Sequence, residues 1–300
     1  MPRVIQQKPL GTPSTNGSVL SRAVPVSSLV EQWIKLTIYG QNRVGKTTLA
    51  CDFPKPLLLI SFEPNRTGGA MSVRKIPGVT YLQITSSHDA LSLAAELRTD
   101  KTFKTHVLDT ATSLQDIILQ ELLNLPAVPE QLNWGTVSMD AYRQRSEKTK
   151  ETLRPFLNLP AHTIICAKEK DHNPPKEDRN KITRGMQLES FIASDLGGAT
   201  VGWLHDACDY IGRLYLAKEV IVKEFKSKVG KEEIITTSEE ETGRIVRRLR
   251  TMYHPNFAAG FRSADPSNVP DHIEDPSYER ISAVIKGVRI PAKGAPQTVK

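Results

Sequence analysis

Eight consecutive residues, Gly40-Gln41-Asn42-Arg43-Val44-Gly45-Lys46-Thr47, match the pattern G-x-x-x-x-G-K-[ST] in full. The chemistry served by that spacing is polyphosphate binding. Backbone N–H groups of the loop and the positive end of the next helix converge on phosphate oxygens. Lys46, expected at a solvent-facing end of the loop, meets the β- and γ-phosphates, and the hydroxyl of Thr47 is available to Mg²⁺. Gly40 through Thr48 are therefore the candidate phosphate contacts.

A magnesium-assisted site needs a partner acid. Asp109 closes the run Thr105-His106-Val107-Leu108-Asp109, about 60 residues after Lys46. In a parallel sheet the strand ends line up beside the phosphate loop, so Asp109 is the candidate for Mg²⁺. Thr110 follows it where many nucleotide hydrolases place a water-activating glutamate. Glu63 is the candidate base instead, at the end of Leu57–Phe62, a strand expected to neighbour that of the phosphate loop. A third strand end carries Lys168 and Glu169, candidates for sensing the γ-phosphate. His172 and Glu169 lack a second pair of ligands at metal spacing, so no zinc site is expected.

The elements that must position these groups are legible in the pattern. Ile34–Tyr39 reads as a strand before the loop, and a helix starts near Lys46. Leu57–Phe62 is a continuous apolar run suited to a strand buried on both faces. Gly78–Ile84 reads as a strand, and a helix over 86–97 follows, capped by Ser86 or Ser87. Helices are predicted over Ser113–Leu125 and Asp140–Leu157, with a strand over Ala161–Ala167. Alternating strands and helices imply an α/β core with a mostly parallel central sheet flanked by helices. Beyond Ala199 four strands are predicted (Tyr210–Ala217, Val220–Phe225, Glu233–Thr237 and Arg247–Tyr253), with a turn at Val229-Gly230 giving antiparallel C-terminal hairpins.

Residues 1–28 are rich in Pro, Ser, Thr, Gly and Gln and read as a disordered arm. The domain is expected over 29–285, with a disordered tail over 286–300. No stretch of eighteen apolar residues predicts a membrane span, and the N-terminus lacks the apolar segment of a secretory signal. Three isolated cysteines argue against a disulfide framework, and the expected location is the cytoplasm. The net charge of +7 permits nucleic-acid binding without requiring it. No N-K-x-D guanine-specificity motif is present, so ATP is the expected nucleotide.

Taken together, several segments resemble the phage RecA-like P-loop nucleotide-binding proteins, which include single-strand DNA annealing ATPases. They are Ile38–Leu49, then Phe53-Pro54-Lys55-Pro56 with its following strand, then Glu63 with Gly68-Gly69 and Ile76–Val79. His106–Thr110, Leu196–Leu216 and Phe257–Arg262 with Val269-Pro270 complete the resemblance, which spans roughly 33–285. It implies a RecA-like ATPase core using ATP and Mg²⁺ on single-stranded DNA in recombination. It also implies a homo-oligomer, ring or filament, the company of a single-strand DNA-binding protein, and, for a phage protein, the host cytoplasm.

Ser61 stands where that family often has Asp, and Gly260 where a lysine is expected. Arg262 is thereby left as the candidate contact to a neighbouring subunit's nucleotide. The segment Lys168–Arg184 has six Lys/Arg and four Asp/Glu and reads as a long loop. The resemblance makes it the DNA-contacting loop, with Lys170, Lys176, Arg179, Lys181 and Arg184 as candidates. Secondary candidates are Lys223, Lys226, Lys228 and Lys231, and Arg247, Arg248 and Arg250. Alternative readings are a helicase-like or loader ATPase of replication, and a weakly hydrolysing assembly platform.

Overall fold

A computed structural model of the chain describes residues 23–25, 33–63, 68–125, 137–172, 191–229 and 232–290. The chain divides after Gln32, and every element below belongs to the unit Trp33–Lys300. In order these are β1 (Lys35–Gly40), α1 (Lys46–Ala50), β2 (Leu57–Ser61), α2 (Gly68–Val73), β3 (Val79–Gln83), α3 (Ser87–Thr99), β4 (Thr105–Asp109) and α4 (Ala111–Leu123). Then follow α5 (Met139–Leu157), β5 (His162–His172), β6 (Phe191–Ser194), α6 (Gly198–Ala207), β7 (Tyr210–Val229), β8 (Glu232–Arg250), β9 (Gly260–Phe261), β10 (His272–Glu274) and α7 (Tyr278–Ile285).

One sheet runs in the order β10-β8-β7-β1-β5-β4-β2-β3. From β3 to β7 every neighbouring pair is parallel, and β8 and β10 join antiparallel. Cover on both faces of the sheet explains why the inner strands carry apolar residues on both. Leu58, Ile60, Leu108 and Ile165 point to the face covered by α3, α4, α5 and α6. Leu57, Leu59, Val107, Ile164, Leu36 and Ile38 point to the face covered by α1 and α7. Helix starts are set by hydroxyl caps: Ser86, Thr110, Ser138 and Ser277 accept from backbone N–H groups at the heads of α3, α4, α5 and α7.

Three expectations change. The four predicted C-terminal strands are two long ones, β7 and β8, paired from Arg213↔Arg250 to Val229↔Glu232 with an irregularity between Lys218 and Val220. Most of the residues left between the predicted strands lie within β7 and β8 instead. Next, β2 does not neighbour β1; it lies between β4 and β3, with β5 and β4 separating it from β1. Finally, β5 continues through Lys168–His172, where Glu169–His172 pair antiparallel with Phe191–Ser194, so the expected loop begins as strand. Residues 173–184, with Lys176, Arg179, Lys181 and Arg184, lie outside the described residues, as do Gly230 of the expected turn, Lys231, all of the expected arm but 23–25, and the tail over 291–300. Of the expected tail, Lys286–Ile290 is described: Val288 N donates to Ala283 O (2.8 Å), and Ile290 packs on the α1/α7 face of the core.

Candidate functional site

Parallel register brings the chemistry together. Ser61 is level with Asp109, Asp109 with Cys166, and Cys166 with Ile38. Two residues on, Lys168 is level with Gly40, where the phosphate loop leaves β1. The loop turns through Arg43 at φ 67° and Gly45 at φ 95°, and α1 begins at Lys46. The left-handed conformation at Gly45 suits glycine because a Cβ is strained there.

Thr47 Oγ1 donates to Asp109 Oδ2 at 2.8 Å. Capping of α4 is done by Thr110, whose hydroxyl accepts from Ser113 N at 3.1 Å. Asp109 is therefore free of helix capping and directed at the phosphate loop. Its pKa is raised by burial, with the Glu63 carboxylate adding, against the Thr47 hydrogen bond and Lys46. Lys46 is buried rather than solvent-facing: Nζ donates to Gly40 O (2.8 Å) and Gln41 O (2.7 Å). The loop wraps its own lysine, and the resulting desolvation lowers the pKa of the ammonium.

A cavity of about 680 Å³ opens over the loop. Asn42, Arg43, Gly45, Lys46, Thr47 and Thr48 line it from one side, and Glu63, Asp109, Thr110 and Lys168 from the other. Glu63 thus reaches the site although its strand does not adjoin β1, because β4 alone separates β2 from β5. Its main chain is held: Glu63 N donates to Ser61 Oγ (3.3 Å) and Glu63 O accepts from Gln83 Nε2 (3.1 Å). Ser61, where Asp was expected, is a hydrogen-bond acceptor for the candidate base.

Lys168 and Glu169 part company. Lys168 lines the cavity, its N–H donating to Thr112 Oγ1 (3.2 Å). Glu169 accepts from Arg213 Nε at 3.0 Å in a largely buried pair, so it ties β5 to β7 and is engaged by a cation. A smaller cavity of about 390 Å³ shares Asn42 and Lys168 with the first. Lys170 and Asp171 line it, and Lys170 pairs with Asp195 at 3.6 Å. Arg262 is exposed and pairs with Asp209 at 2.6 Å; a Cβ on Gly260 would meet open space. Arg248 pairs with Glu274 (3.4 Å) and Arg250 lies over the Phe257 ring (5.5 Å), so both are held within the fold.

Two residues enter the site that sequence reasoning did not assign to it. A Cβ on Gly69 would lie 3.1 Å from Asp109 Oδ2 and 3.4 Å from Thr47 Oγ1. A side chain there would press on the acid, and the Gly68-Gly69 doublet was the available signal. Arg247, read as a possible DNA contact, lies against the phosphate loop, its Nη1 2.9 Å from where a Gly45 Cβ would be. That placement depends on long-range pairing in β8 and leaves no local sequence signal.

A family model described as an AAA domain matches residues 32–248. The chain belongs to that AAA family. It is accordingly a P-loop NTPase-type protein, and its α/β sheet with antiparallel C-terminal strands fits that class. The matched span takes in the phosphate loop, Glu63, Asp109, Lys168 and Arg247. No curated protein matches the chain. No helix among the described residues is long and apolar enough to cross a membrane.

Proposed function

We propose that this AAA-family chain binds and hydrolyses ATP with Mg²⁺, as a RecA-like ATPase acting on single-stranded DNA in annealing or recombination. The observation that carries the hydrolytic reading is the 2.8 Å contact of Thr47 with Asp109, in one cavity with Lys46 and Glu63. A hydroxyl and a carboxylate are hard oxygen donors of the kind Mg²⁺ takes alongside phosphate oxygens and water. Thr47 and Asp109 would hold it, and when bound it neutralises charge on the β- and γ-phosphates.

The chain's own residues do the rest. Loop N–H groups orient the polyphosphate, and Lys46 exchanges its two loop carbonyls for phosphate oxygens. Glu63 accepts a proton from a water that attacks the γ-phosphorus, while the bond from that phosphorus to the β–γ bridging oxygen breaks. Lys168 meets the departing phosphoryl group.

Support for the DNA reading comes from β5. The strand leaves the cavity at Lys168, pairs with β6, and leads into 173–184, where Lys176, Arg179, Lys181 and Arg184 lie. DNA phosphates held there are coupled through one strand to the residue facing the γ-phosphate. The test is ATP turnover with and without single-stranded DNA, in the wild type and in a variant with those four residues made neutral. Turnover is expected to rise with DNA in the wild type, and the variant is expected to lose that rise while keeping basal turnover. Each lost phosphate contact flattens log K against log salt by roughly 0.7. A wild type whose turnover ignores DNA and which binds none refutes the DNA reading and leaves the ATPase.

A further inference from the structure

The antiparallel hairpin carries a second feature beside the phosphate loop. Partners directly opposite in an antiparallel pair share a face, and alternate residues along a strand return to it. Leu214↔Leu249, Leu216↔Arg247 and Lys218↔Ile245 are such successive pairs, so these six side chains lie on one face of β7 and β8. The first pair is fully buried in the same core cluster as Val44 and Leu49, from the phosphate loop and α1. This packing turns the face toward the loop. One pair further out, Arg247 reaches it, with Nη1 2.9 Å and Cδ 3.4 Å from the place of a Gly45 Cβ.

Arg247 differs from its neighbours. Arg244 is paired with Glu219 and Arg248 with Glu274, whereas Arg247 forms no ion pair among the described residues. Opposite it on β7 and two residues before it on β8, Leu216 and Ile245 are left 52% and 58% exposed. A single exposed aliphatic needs no explanation. Two of them beside a guanidinium with no ion pair among the described residues, next to the candidate phosphate loop, match the chemistry of a nucleoside triphosphate: a flat ring at one end and anionic phosphates at the other.

We propose that Leu216, Ile245 and Arg247 form the nucleoside subsite. The base lies on the two aliphatic side chains with the guanidinium plane stacked on its π face, and the phosphate tail runs from there into the loop. This rests on the reading of Gly40–Thr47 as an ATP site.

The experiment titrates the full chain with ATP and, separately, with inorganic tripolyphosphate, which has the phosphate tail and no nucleoside. Three proteins are compared: wild type, the double variant Leu216→Gln/Ile245→Gln, and Arg247→Lys, which keeps the charge and loses the plane. The replaced leucine and isoleucine are exposed, and thermal melting checks that each variant is folded. The double variant is expected to weaken ATP binding about tenfold, in keeping with the apolar area lost, while tripolyphosphate affinity stays within about twofold. Arg247→Lys is expected to weaken ATP several-fold with tripolyphosphate likewise unchanged.

Equal ATP affinity in the wild type and double variant overturns the proposal. So does loss of self-association in the double variant with ATP affinity retained, which makes this face a contact between copies of the chain. A wild type that binds neither ligand refutes the phosphate-loop reading itself and takes the subsite with it. A wild type that binds tripolyphosphate as tightly as ATP refutes the subsite alone.

Discussion

The five parallel strands β3, β2, β4, β5 and β1 and the β7–β8 hairpin solve different problems with the same sheet. The parallel half buries both faces, and its functional groups stand at strand ends, where Asp109, Glu63 and Lys168 meet one cavity. The hairpin extends past β1, pairs along most of its length only with itself, and carries its polar groups within the strands. In the first region chemistry is placed by where a strand stops. In the second it is placed by which residue lies opposite which. The two meet at the buried pair Glu169–Arg213, with the Arg213 guanidinium 4.2 Å above the Phe257 ring.

If strand ends alone place the hydrolytic groups, removing one should stop chemistry without unfolding the protein. Lys46→Ala is expected to lower ATP turnover at least about a hundredfold by removing the cation that meets the β- and γ-phosphates. The bonds lost are to Gly40 O and Gln41 O within the loop itself, so circular dichroism should be unchanged. Full turnover in a folded variant contradicts the site. Glu63→Gln is the finer cut: turnover falls about 10²–10⁴-fold while ATP binding by calorimetry is retained. Hydrolysis at the wild-type rate would move the base elsewhere.

The junction is tested by Arg213→Met. It leaves Glu169 as a buried carboxylate without its partner, so urea denaturation should record a loss of about 3 kcal/mol. ATP affinity should change little, because neither side chain lines the larger cavity. A variant as stable as wild type would make the pair incidental to holding the halves together.

The smallest effect lies near the opposite end of a parallel strand from Asp109. His106 on β4 is buried, with both ring nitrogens unpartnered among the described residues, and burial, with Lys35 adding, lowers its pKa to about 4. The unfolded imidazole takes up a proton near its ordinary value of 6.5 and the folded one does not. Stability is therefore held above that value and lost as pH falls from about 6.5 to about 4. His106→Leu should reduce the loss across that window by about 2 kcal/mol, leaving the share of His162, whose pKa burial also lowers to about 4. Identical acid unfolding curves would show that His106 is not responsible.

This contrast explains what could be read from the chain beforehand. The parallel strands announce themselves as apolar runs, and each candidate acid follows one, so Thr47, Asp109 and Glu63 were identifiable from local pattern and lie in one cavity. What local pattern does not carry is order across the sheet. Hence β2 was expected beside β1, when β4 and β5 intervene. The hairpin was read as four strands, whereas its ladder runs through the charged residues left between them. Arg247 and Gly69 acquire their neighbours only through tertiary approach. Lys46 was expected in solvent because nothing local says that a loop folds around its own side chain.

Mechanically, the hairpin is a lever. Strand β7 is clamped to β1 only from Tyr210 to Arg213, and the sixteen residues from Leu214 to Val229 lie beyond that clamp. At about 3.3 Å per residue they span roughly 50 Å, against about 5 Å between neighbouring strands at the fulcrum. The fulcrum touches the phosphate loop directly, since a Cβ on Gly40 would overlap Leu214 O. In a rigid arm of that length, a displacement across the fulcrum is multiplied about tenfold at the far end.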